Sequence, residues 1–435
     1  ALFHIGEKAA TPEVVEALTS CLKHVDGLVR KISAFALGKI GEKAATKEVV
    51  QALTRYLAHE HEYVRESAAD ALGNIGEKAA TKEVLETLTS CLKDEDHWVV
   101  RTIAVDALGE IGEKAATPAV LEAITVYLVH ENKDVRESAA EALGKIGEKA
   151  ATQEVVQGLT SCLKDEDWTV RSRAAEALGN IGEKAATSAV VEAITTCLKD
   201  EDWTVRFRAA DALGKIGEKA ATKEVVQALT SCLKDEEKYV RQNAADALGN
   251  LGEKAATKEV LEALTSCLKD ENYWVRKSAA DALGKFGEKA DTPAVLQAIT
   301  SCLKHEHEYV RQSAAFALSK FGEKAATKEV LEALTTCLKD KDYNVRESTV
   351  EALGHIGEKA ATPEVLEALT TCLKDEEGFV RSSAADALVK ISEKAATKEV
   401  LQVLTSCIKH EDKYVRRNAA EALGKMATYL PNIAQ

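Results

Sequence analysis

Apolar residues along the chain form pairs of short helical patterns separated by brief polar segments. In residues 152–163 the apolar positions follow the spacing i, i+1, i+4, i+7 and i+8, which is one face of an α-helix. They are Val155, Val156, Leu159, Cys162 and Leu163. After the polar segment 164–167, a second helical stripe consists of Val170, Ala174, Ala175, Leu178 and Ile181. The pattern predicts two helices within 35 residues.

The residues between the apolar stripes predict where each helix begins and ends. Thr152 is a good N-cap for the first helix, and Asp167 is placed to cap the second. Gly182 is expected to end the second helix, because glycine readily adopts positive φ. Gly179 and the small Ala pair before it suggest that helices approach closely. Four units have proline after the Thr, a position that tolerates it: Pro12, Pro118, Pro293 and Pro363.

This unit repeats along the whole chain, mostly as GEKAAT motifs 35 residues apart, with one 36-residue step near Trp98. Since a two-helix unit cannot bury its apolar face alone, the units must stack. We predict an all-α superhelix, a solenoid of about twelve two-helix repeats in residues 11–425. The repeats start near 11, 46, 81, 117, 152, 187, 222, 257, 292, 327, 362 and 397. Residues 1–10 match the end of a truncated repeat, so we expect the chain to be part of something longer. Residues 426–435 are expected to form a C-terminal cap or tail.

The second helix carries the pattern D-x-x-V-R-x-x-A-A-x-A-L-G-x-I, which residues 167–181 match at every fixed position. This pattern resembles the HEAT-like repeats of the phycobilisome-lyase type. The resemblance implies that second helices line the concave side, and that the Asp and Arg of the pattern connect successive repeats. Several repeats depart from the Asp, which puts a continuous Asp–Arg series in question: His61, Asn132, Glu237, Asn272, His307 and Glu377.

Composition narrows the classes of partner. The net charge is -14, which opposes general binding to nucleic acid or to an anionic membrane surface. No apolar run approaches the roughly 18 residues that span a bilayer. No secretory signal peptide is visible at the start of the sequence. We therefore expect protein or peptide partners, and neither nucleic acid nor membrane.

All ten cysteines occupy one repeat position, on the apolar face of the first helix, where two repeats have Tyr56 and Tyr127. They lack the local spacing of metal ligands, and we expect them to be reduced, buried packing residues. Free thiols suggest a reducing compartment, hence the cytoplasm. The cysteines are Cys21, Cys91, Cys162, Cys197, Cys232, Cys267, Cys302, Cys337, Cys372 and Cys407.

His-Glu pairs are the sequence feature that most suggests an enzyme, because deoxyhypusine hydroxylase is a HEAT-repeat di-iron enzyme built on such pairs. In that enzyme the pair directly follows the Val-Arg, where this chain has Glu66-Ser67 and Gln312-Ser313. Here the pairs, such as His59-Glu60 and His305-Glu306, lie in the break between helices. We expect solvated loops, no metal, no cofactor and no catalysis, either of this kind or of the bilin lyase kind.

Aromatic residues cluster just before the Val-Arg, and the adjoining positions vary between repeats. The helical wheel places this window on the stripe of residues 172, 173, 176 and 180, away from the core. Because aromatic residues and Arg dominate binding hot spots, we predict a partner-binding ridge; the alternative is that the rings pack between repeats. The candidate residues are Tyr63, Trp98, Trp168, Arg173, Trp203, Phe207, Arg208, Tyr239, Tyr273, Trp274, Tyr309, Tyr343, Phe379 and Tyr414.

The favoured function is a protein- or peptide-binding scaffold, the recognition segment of a larger protein. Trp168, Trp203, Tyr239 and Trp274 are predicted to form a row of roughly 30 Å, long enough for an extended peptide. An acidic row beside it would favour a basic partner: Glu176, Asp211, Asp246 and Asp281. The alternative function is structural, in which copies of the chain self-associate into an oligomer or filament.

Overall fold

The computed structural model describes residues 10–93, 98–391 and 398–427. These residues form two compact units, which are divided after Ala220. Each unit consists of six repeats, and each repeat pairs a shorter first helix with a longer second helix. In the N-terminal unit the helices are α1 Pro12–Cys21, α2 Gly27–Ile40, α3 Lys47–Tyr56, α4 Glu62–Ile75, α5 Lys82–Cys91, α6 Trp98–Ile111, α7 Pro118–Val126, α8 Lys133–Ile146, α9 Gln153–Cys162, α10 Trp168–Ile181, α11 Ser188–Cys197 and α12 Trp203–Ile216. In the C-terminal unit they are α13 Lys223–Cys232, α14 Lys238–Asn250, α15 Lys258–Cys267, α16 Tyr273–Lys285, α17 Pro293–Cys302, α18 Glu308–Phe321, α19 Lys328–Cys337, α20 Tyr343–Ile356, α21 Pro363–Cys372, α22 Gly378–Ile391, α23 Lys398–Cys407 and α24 Lys413–Ala427.

The predicted all-α solenoid fold is confirmed. Repeat 1 consists of α1 and α2, and the numbering continues to repeat 12, α23 and α24. The predicted truncated repeat, residues 1–10, lies almost wholly outside the described residues. So does most of the predicted tail, in which α24 continues to Ala427.

The predicted caps are present at the ends of the helices. Thr152 Oγ1 accepts a hydrogen bond from the Val155 amide (3.2 Å), and eleven first helices have such a Thr cap. Asp167 Oδ1 caps α10 through the Thr169 amide (2.9 Å). Gly182 follows α10 with φ 69°, which favours glycine. The chain then makes a 3₁₀ turn, Gly182–Ala185, before the next repeat.

Within each unit, consecutive second helices pack closely on one another. A Cβ atom added to Gly179 would lie 2.7 Å from the Ala212 Cα of the next second helix, so only glycine permits this approach. First helices are in less extensive contact, and open grooves separate them, such as the groove of about 1140 Å³ between α13 and α15. The second helices therefore form the more tightly packed side of each unit.

In the repeats whose loops are described, an arginine of the second helix holds its own loop and often also the next one. Arg171 Nη1 donates to the carbonyl oxygens of Asp165 and Glu166 (2.9 and 3.0 Å). Its Nε and Nη2 donate to the two carboxylate oxygens of Asp200 in the next repeat (2.7 and 2.8 Å). Both side chains are about nine-tenths buried. We call this bidentate pair the Arg–Asp link.

The expected connection between repeats therefore exists, but its acceptor is a different aspartate. Asp167, the residue of the family pattern, caps its own helix, whereas the link uses the aspartate two residues earlier in each loop. The geometry explains the difference, because an N-cap oxygen is already engaged by the helix amides. Departures from aspartate at the cap position, such as Asn272 and Glu377, therefore leave the link intact, because the link uses Asp270 and Asp375 of the same loops. Links of this kind include Arg136–Asp165, Arg171–Asp200, Arg241–Asp270, Arg311–Asp340 and Arg346–Asp375.

Five loops have histidine at the acceptor position: His24, His59, His130, His305 and His410. We call the contacts between neighbouring repeats joints, and distinguish Asp joints, whose loop has aspartate at the acceptor position, from His joints, whose loop has histidine there. The His joints lie between repeats 1 and 2, 3 and 4, 8 and 9, and 11 and 12. At joint 8/9, Arg276 Nε donates to Ser313 Oγ (3.1 Å), and its guanidinium lies over the Tyr309 ring, 4.3 Å from the centroid.

The predicted burial of the cysteines is confirmed for nine, and Cys21 is partly exposed. Several thiols also donate to a leucine carbonyl one repeat earlier, as Cys162 does to Leu128 (3.4 Å). Tyr56 and Tyr127 occupy the same position and make the same bond through their hydroxyl groups. Among the described residues, no helix is long and apolar enough to cross a membrane.

Candidate interaction surface on the second helices

The exposed part of each second helix is a narrow stripe. In α10 the core positions Val170, Ala174 and Leu178 are buried, whereas Arg173 and Glu176 are partly exposed and Asn180 is exposed. The helix turns about 100° per residue, so the exposed stripe passes through the second residue of the helix. Neighbouring second helices cover both flanks. The candidate surface consists of these stripes and of the helix starts beside them.

The aromatic window predicted from the sequence divides into two helix positions. Rings at the second residue of the helix share the exposed stripe: Tyr63, Tyr239, Trp274, Tyr309, Phe379 and Tyr414. Rings at the first residue lie about 100° away: Trp98, Trp168, Trp203, Tyr273 and Tyr343. The first position faces the following repeat, because Gly179, about three turns after Trp168, contacts Ala212 there.

Most of these rings are exposed to solvent. Among the described residues, sixteen large apolar side chains are exposed, and ten of them are aromatic residues of this window. Trp274 is 53% exposed and Phe379 67%, whereas Tyr309 is only partly exposed, beneath Arg276. The window therefore concentrates the exposed apolar surface of the chain at the starts of the second helices.

The rings also contact their own repeats. Trp203 meets Phe207 edge to face, with centroids 6.4 Å apart, and Arg208 lies over Phe207. In the C-terminal unit, Lys238 lies over Tyr239 and Lys277 over Trp274, at 5.1 and 5.3 Å. One face of Phe207, Tyr239 and Trp274 is thus occupied by a cation of the same chain. The remaining exposure leaves room for a partner on the other face.

Arg173 and Arg208, which the sequence suggested for partner binding, are engaged within the N-terminal unit. Arg173 pairs with Glu141 of the preceding repeat and with Glu176 (both 3.1 Å). Arg208 pairs with Glu176 of the preceding repeat at 2.8 Å. These arginines cross-link adjacent second helices. Sequence reasoning missed the pairs, whose signal is opposite charge about 32 residues apart.

The acidic row is also largely paired within the chain. Asp211 binds Lys215 (2.8 Å), and Asp281 binds Lys320 of the next repeat (2.9 Å). Burial raises the pKa of Asp246. In repeat 3, burial and the nearby Glu141 raise the pKa of Asp106 to about 6. The row is thus less available to a basic partner than the sequence suggested.

The His-Glu pairs lie in the loops between helices, as predicted. The Nδ1 atom of His59 accepts a hydrogen bond from the His61 amide (3.0 Å), and that of His305 accepts one from the His307 amide (3.2 Å). Within the described ranges, no group of three His, Cys, Asp or Glu side chains could hold a metal ion.

Comparison with known families gives one match along the chain. The family model for HEAT repeats matches overlapping segments that together cover residues 15–432. The segments are 15–109, 53–126, 85–162, 122–197, 156–231, 226–319, 296–389 and 380–432. Comparison with curated protein sequences gives no significant match. The lyase-type subdivision suggested by the sequence pattern has no support from these comparisons.

Several solved structures share the fold at low sequence identity. Yeast importin-beta, Kap95p, bound to RanGDP is 15% identical, with a TM-score of 0.67 over 97% of this chain and 62% of its own. The Kap95:Nup1 complex gives 15% identity and a TM-score of 0.66 over 97% and 63%. The karyopherin Kap121p bound to the extreme C-terminus of the phosphatase Cdc14p gives 16% and 0.57 over 99% and 54%. The chain thus spans 54 to 63% of the length of these karyopherins.

Proposed function

The chain belongs to the HEAT-repeat family, and on that premise we propose that it is a protein- or peptide-binding scaffold that uses its second-helix surface. The strongest support is the ten exposed aromatic side chains at the starts of the second helices. Folding normally buries such side chains, so their concentration on one surface favours a binding role. Karyopherins of similar fold are seen with protein partners, which agrees with this proposal. The function is binding without catalysis.

The site proposed in the N-terminal unit is centred on Trp168 and Trp203. Each ring follows an exposed glutamate by two residues, Glu166 or Glu201. A ring face and a carboxylate side by side suit a Lys or Arg side chain. Neighbouring helices lie about 8–10 Å apart, close to the length of three extended residues. The proposed partner is an extended segment with a basic residue at every third position.

The C-terminal unit offers a second pair of rings, Tyr239 and Trp274. Here Lys238 and Lys277 occupy one face of each ring, so a partner would use the other face and the ring edges. We also propose a cytoplasmic location, because free cysteines persist in reducing compartments.

The experiment compares two double variants. Peptides selected from a displayed library of linear sequences are titrated against Trp168→Ala/Trp203→Ala and against Tyr239→Ala/Trp274→Ala. We expect at least one double variant to weaken binding by about thirtyfold, since hot-spot rings contribute about 2 kcal/mol or more. Circular dichroism should stay helical, because these rings are about half exposed. The control is Val126→Ala/Val129→Ala, two exposed side chains at the C-terminal end of α7 and in the turn that follows it.

If both double variants bind the peptides unchanged, the second-helix surface is not the binding site. Loss of helix in either variant would show that its rings are packing residues. Light scattering over a range of protein concentrations tests the structural alternative, because a self-assembling chain gains mass without any partner.

A further inference from the structure

The five histidines at the acceptor position of the loops each make the same kind of hydrogen bond. In each loop the imidazole Nδ1 accepts the amide N–H two residues later, at 3.0–3.2 Å. That amide belongs to the residue just before the second helix. The bond therefore holds the loop where the second helix begins. The pairs are His24–Asp26, His59–His61, His130–Asn132, His305–His307 and His410–Asp412.

Aspartate fills the same place in the other loops. Asp165 Oδ1 accepts from the Asp167 amide, and Asp340 Oδ1 from the Asp342 amide, both at 3.0 Å. Aspartate accepts this bond and the Arg–Asp link together, because its carboxylate has two acceptor oxygens. Histidine accepts only the bond from the amide two residues later and does not form the Arg–Asp link. It can accept this bond only as the neutral tautomer that carries its proton on Nε2, because protonated imidazole is a donor at both nitrogens.

The charged groups around His305 come from its own repeat and from the preceding one. Arg311 Nη1 binds its carbonyl oxygen (2.8 Å), and Arg276 of the preceding repeat lies beside the loop at Tyr309. The His307 ring is 5.5 Å away, and Lys269 lies near Cys302 at the end of the first helix. Glu306 is exposed, and it binds His307 at 3.5 Å.

His59 has a similar environment at joint 1/2. Burial lowers its pKa, and so do the charges of Arg30, His61 and Arg65, whereas Glu60 raises it. The ring of Tyr56 lies against it, with centroids 6.2 Å apart. Both loops have the sequence His-Glu-His-Glu-Tyr and stack the second histidine on the tyrosine.

We propose that the His joints are acid-sensitive connections between otherwise similar repeats. Protonation of His59, His130, His305 or His410 removes the loop hydrogen bond and adds positive charge beside the arginine of the preceding repeat. The direction of the pH dependence follows from linkage, because only the neutral imidazole accepts the loop hydrogen bond of the folded state. The bond therefore contributes fully above the ordinary histidine pKa of about 6.5 and is lost as pH falls below it.

Amide hydrogen exchange in the C-terminal unit tests this proposal, because joint 8/9 has His305 and the neighbouring joint 9/10 has Asp340 at the same loop position. Rates, corrected for intrinsic exchange, are compared at about pH 7.5 and about pH 5.5. We expect the start of α18 to lose about fivefold protection, the effect of one hydrogen bond. The start of α20, behind Asp340, should keep its protection. Equal responses of the two joints would overturn the proposal.

Reciprocal variants assign the effect to the loop residue. His305→Asn keeps an uncharged acceptor at every pH and should remove the acid response of α18. Asp340→His should transfer that response to α20. An acid response that survives His305→Asn would contradict the proposal.

Nitrogen NMR of the wild-type imidazoles gives a test that needs no variant. The five loop histidines should be Nε2–H tautomers at neutral pH. His355 is an internal contrast, because its Nδ1 lies 2.8 Å from the carbonyl oxygen of Glu351 and must donate to it. If the loop histidines carry their proton on Nδ1, the proposal fails.

Discussion

Joints 8/9 and 9/10 join nearly identical repeats in different ways. At joint 9/10, Arg311 makes the bidentate link to Asp340 with distances of 2.6 and 2.8 Å. At joint 8/9, histidine replaces that aspartate, and Arg276 turns to Ser313 and Tyr309. Burial without a carboxylate partner lowers the pKa of Arg276, whereas the bond to Asp340 raises that of Arg311. The residue at this loop position therefore decides what the guanidinium of the preceding repeat contacts. With aspartate it binds the carboxylate of the next loop, and with histidine it contacts a hydroxyl group and a tyrosine ring of the next second helix.

The difference extends to the helices. Cys337 donates to the Leu303 carbonyl of the preceding repeat (3.5 Å), whereas Cys302 donates to Ala298 within its own helix (3.4 Å). A Cβ atom added to Gly284 would meet the Lys320 side chain, whereas one added to Gly249 or Gly354 would meet an alanine Cα atom of the next second helix. α16 also contacts α18 less extensively than α18 contacts α20. Joint 8/9 thus has fewer specific connections, although both joints preserve the fold.

The largest predicted effect comes from removing the carboxylate at joint 9/10. Asp340→Ala leaves the Arg311 Nε and Nη2 atoms without their acceptor in a site where each partner is only about a tenth exposed. We expect a loss of about 3 kcal/mol, the lower end for breaking a buried pair. It is measured as the opening free energy of α18 and α20 amides by hydrogen exchange, since repeat stabilities add locally.

His305→Ala is the matched control at joint 8/9. It removes one loop hydrogen bond and no ion-pair partner, so we expect about 1 kcal/mol. If both variants cost the same, the Arg–Asp link contributes nothing that distinguishes the two joints.

The next largest effect is predicted in the N-terminal unit, at joint 3/4. This is a His joint, because its loop contains His130. On the second-helix side of that joint, Asp106 has a pKa of about 6, raised by burial and by Glu141. Since the folded pKa exceeds the unfolded value, stability is full below about pH 4 and falls as pH rises through 6. Asp106→Asn should therefore stabilise repeats 3 and 4 by about 1–2 kcal/mol at neutral pH.

Urea denaturation and hydrogen exchange across the pH range measure this gain. Asp211→Asn is the control, because Asp211 is paired with Lys215 and should give no stabilisation. Asp106 protonation and His130 protonation act in opposite directions at joint 3/4. The Asn variant should therefore make the acid response of this joint larger. A variant without any gain at neutral pH would show that Asp106 is already neutral or solvated.

The sequence predicted the repeats, the Thr caps, the buried cysteines and the Gly179 approach, because each depends on spacing within one repeat. It did not predict the link acceptor, since Asp165 and Asp167 are both plausible until the loop is folded. The pairing of Arg208 with Glu176 was also missed, because it depends on how adjacent helices are staggered. The two aromatic positions differ by one residue, and only the observed helix starts separate them. Partner binding by this surface stays a prediction.

The smallest effect tests whether the thiols contribute to the difference between the joints. Cys302 and Cys337 are both buried, 1% and 5% exposed, so truncation to alanine removes similar apolar contacts. Cys337→Ala also removes the S–H···O bond between repeats, whereas Cys302→Ala removes only a bond within α17. We expect Cys337→Ala to cost about 0.5 kcal/mol more, because such bonds are weak. Paired urea titrations of the two variants measure this difference. In the wild type both thiols should react slowly, because burial raises the pKa of Cys337 to about 11 and also raises that of Cys302. Equal costs would assign the contrast to the loop residue alone, and a larger cost for Cys302→Ala would mean that joint 8/9 depends on packing around α17.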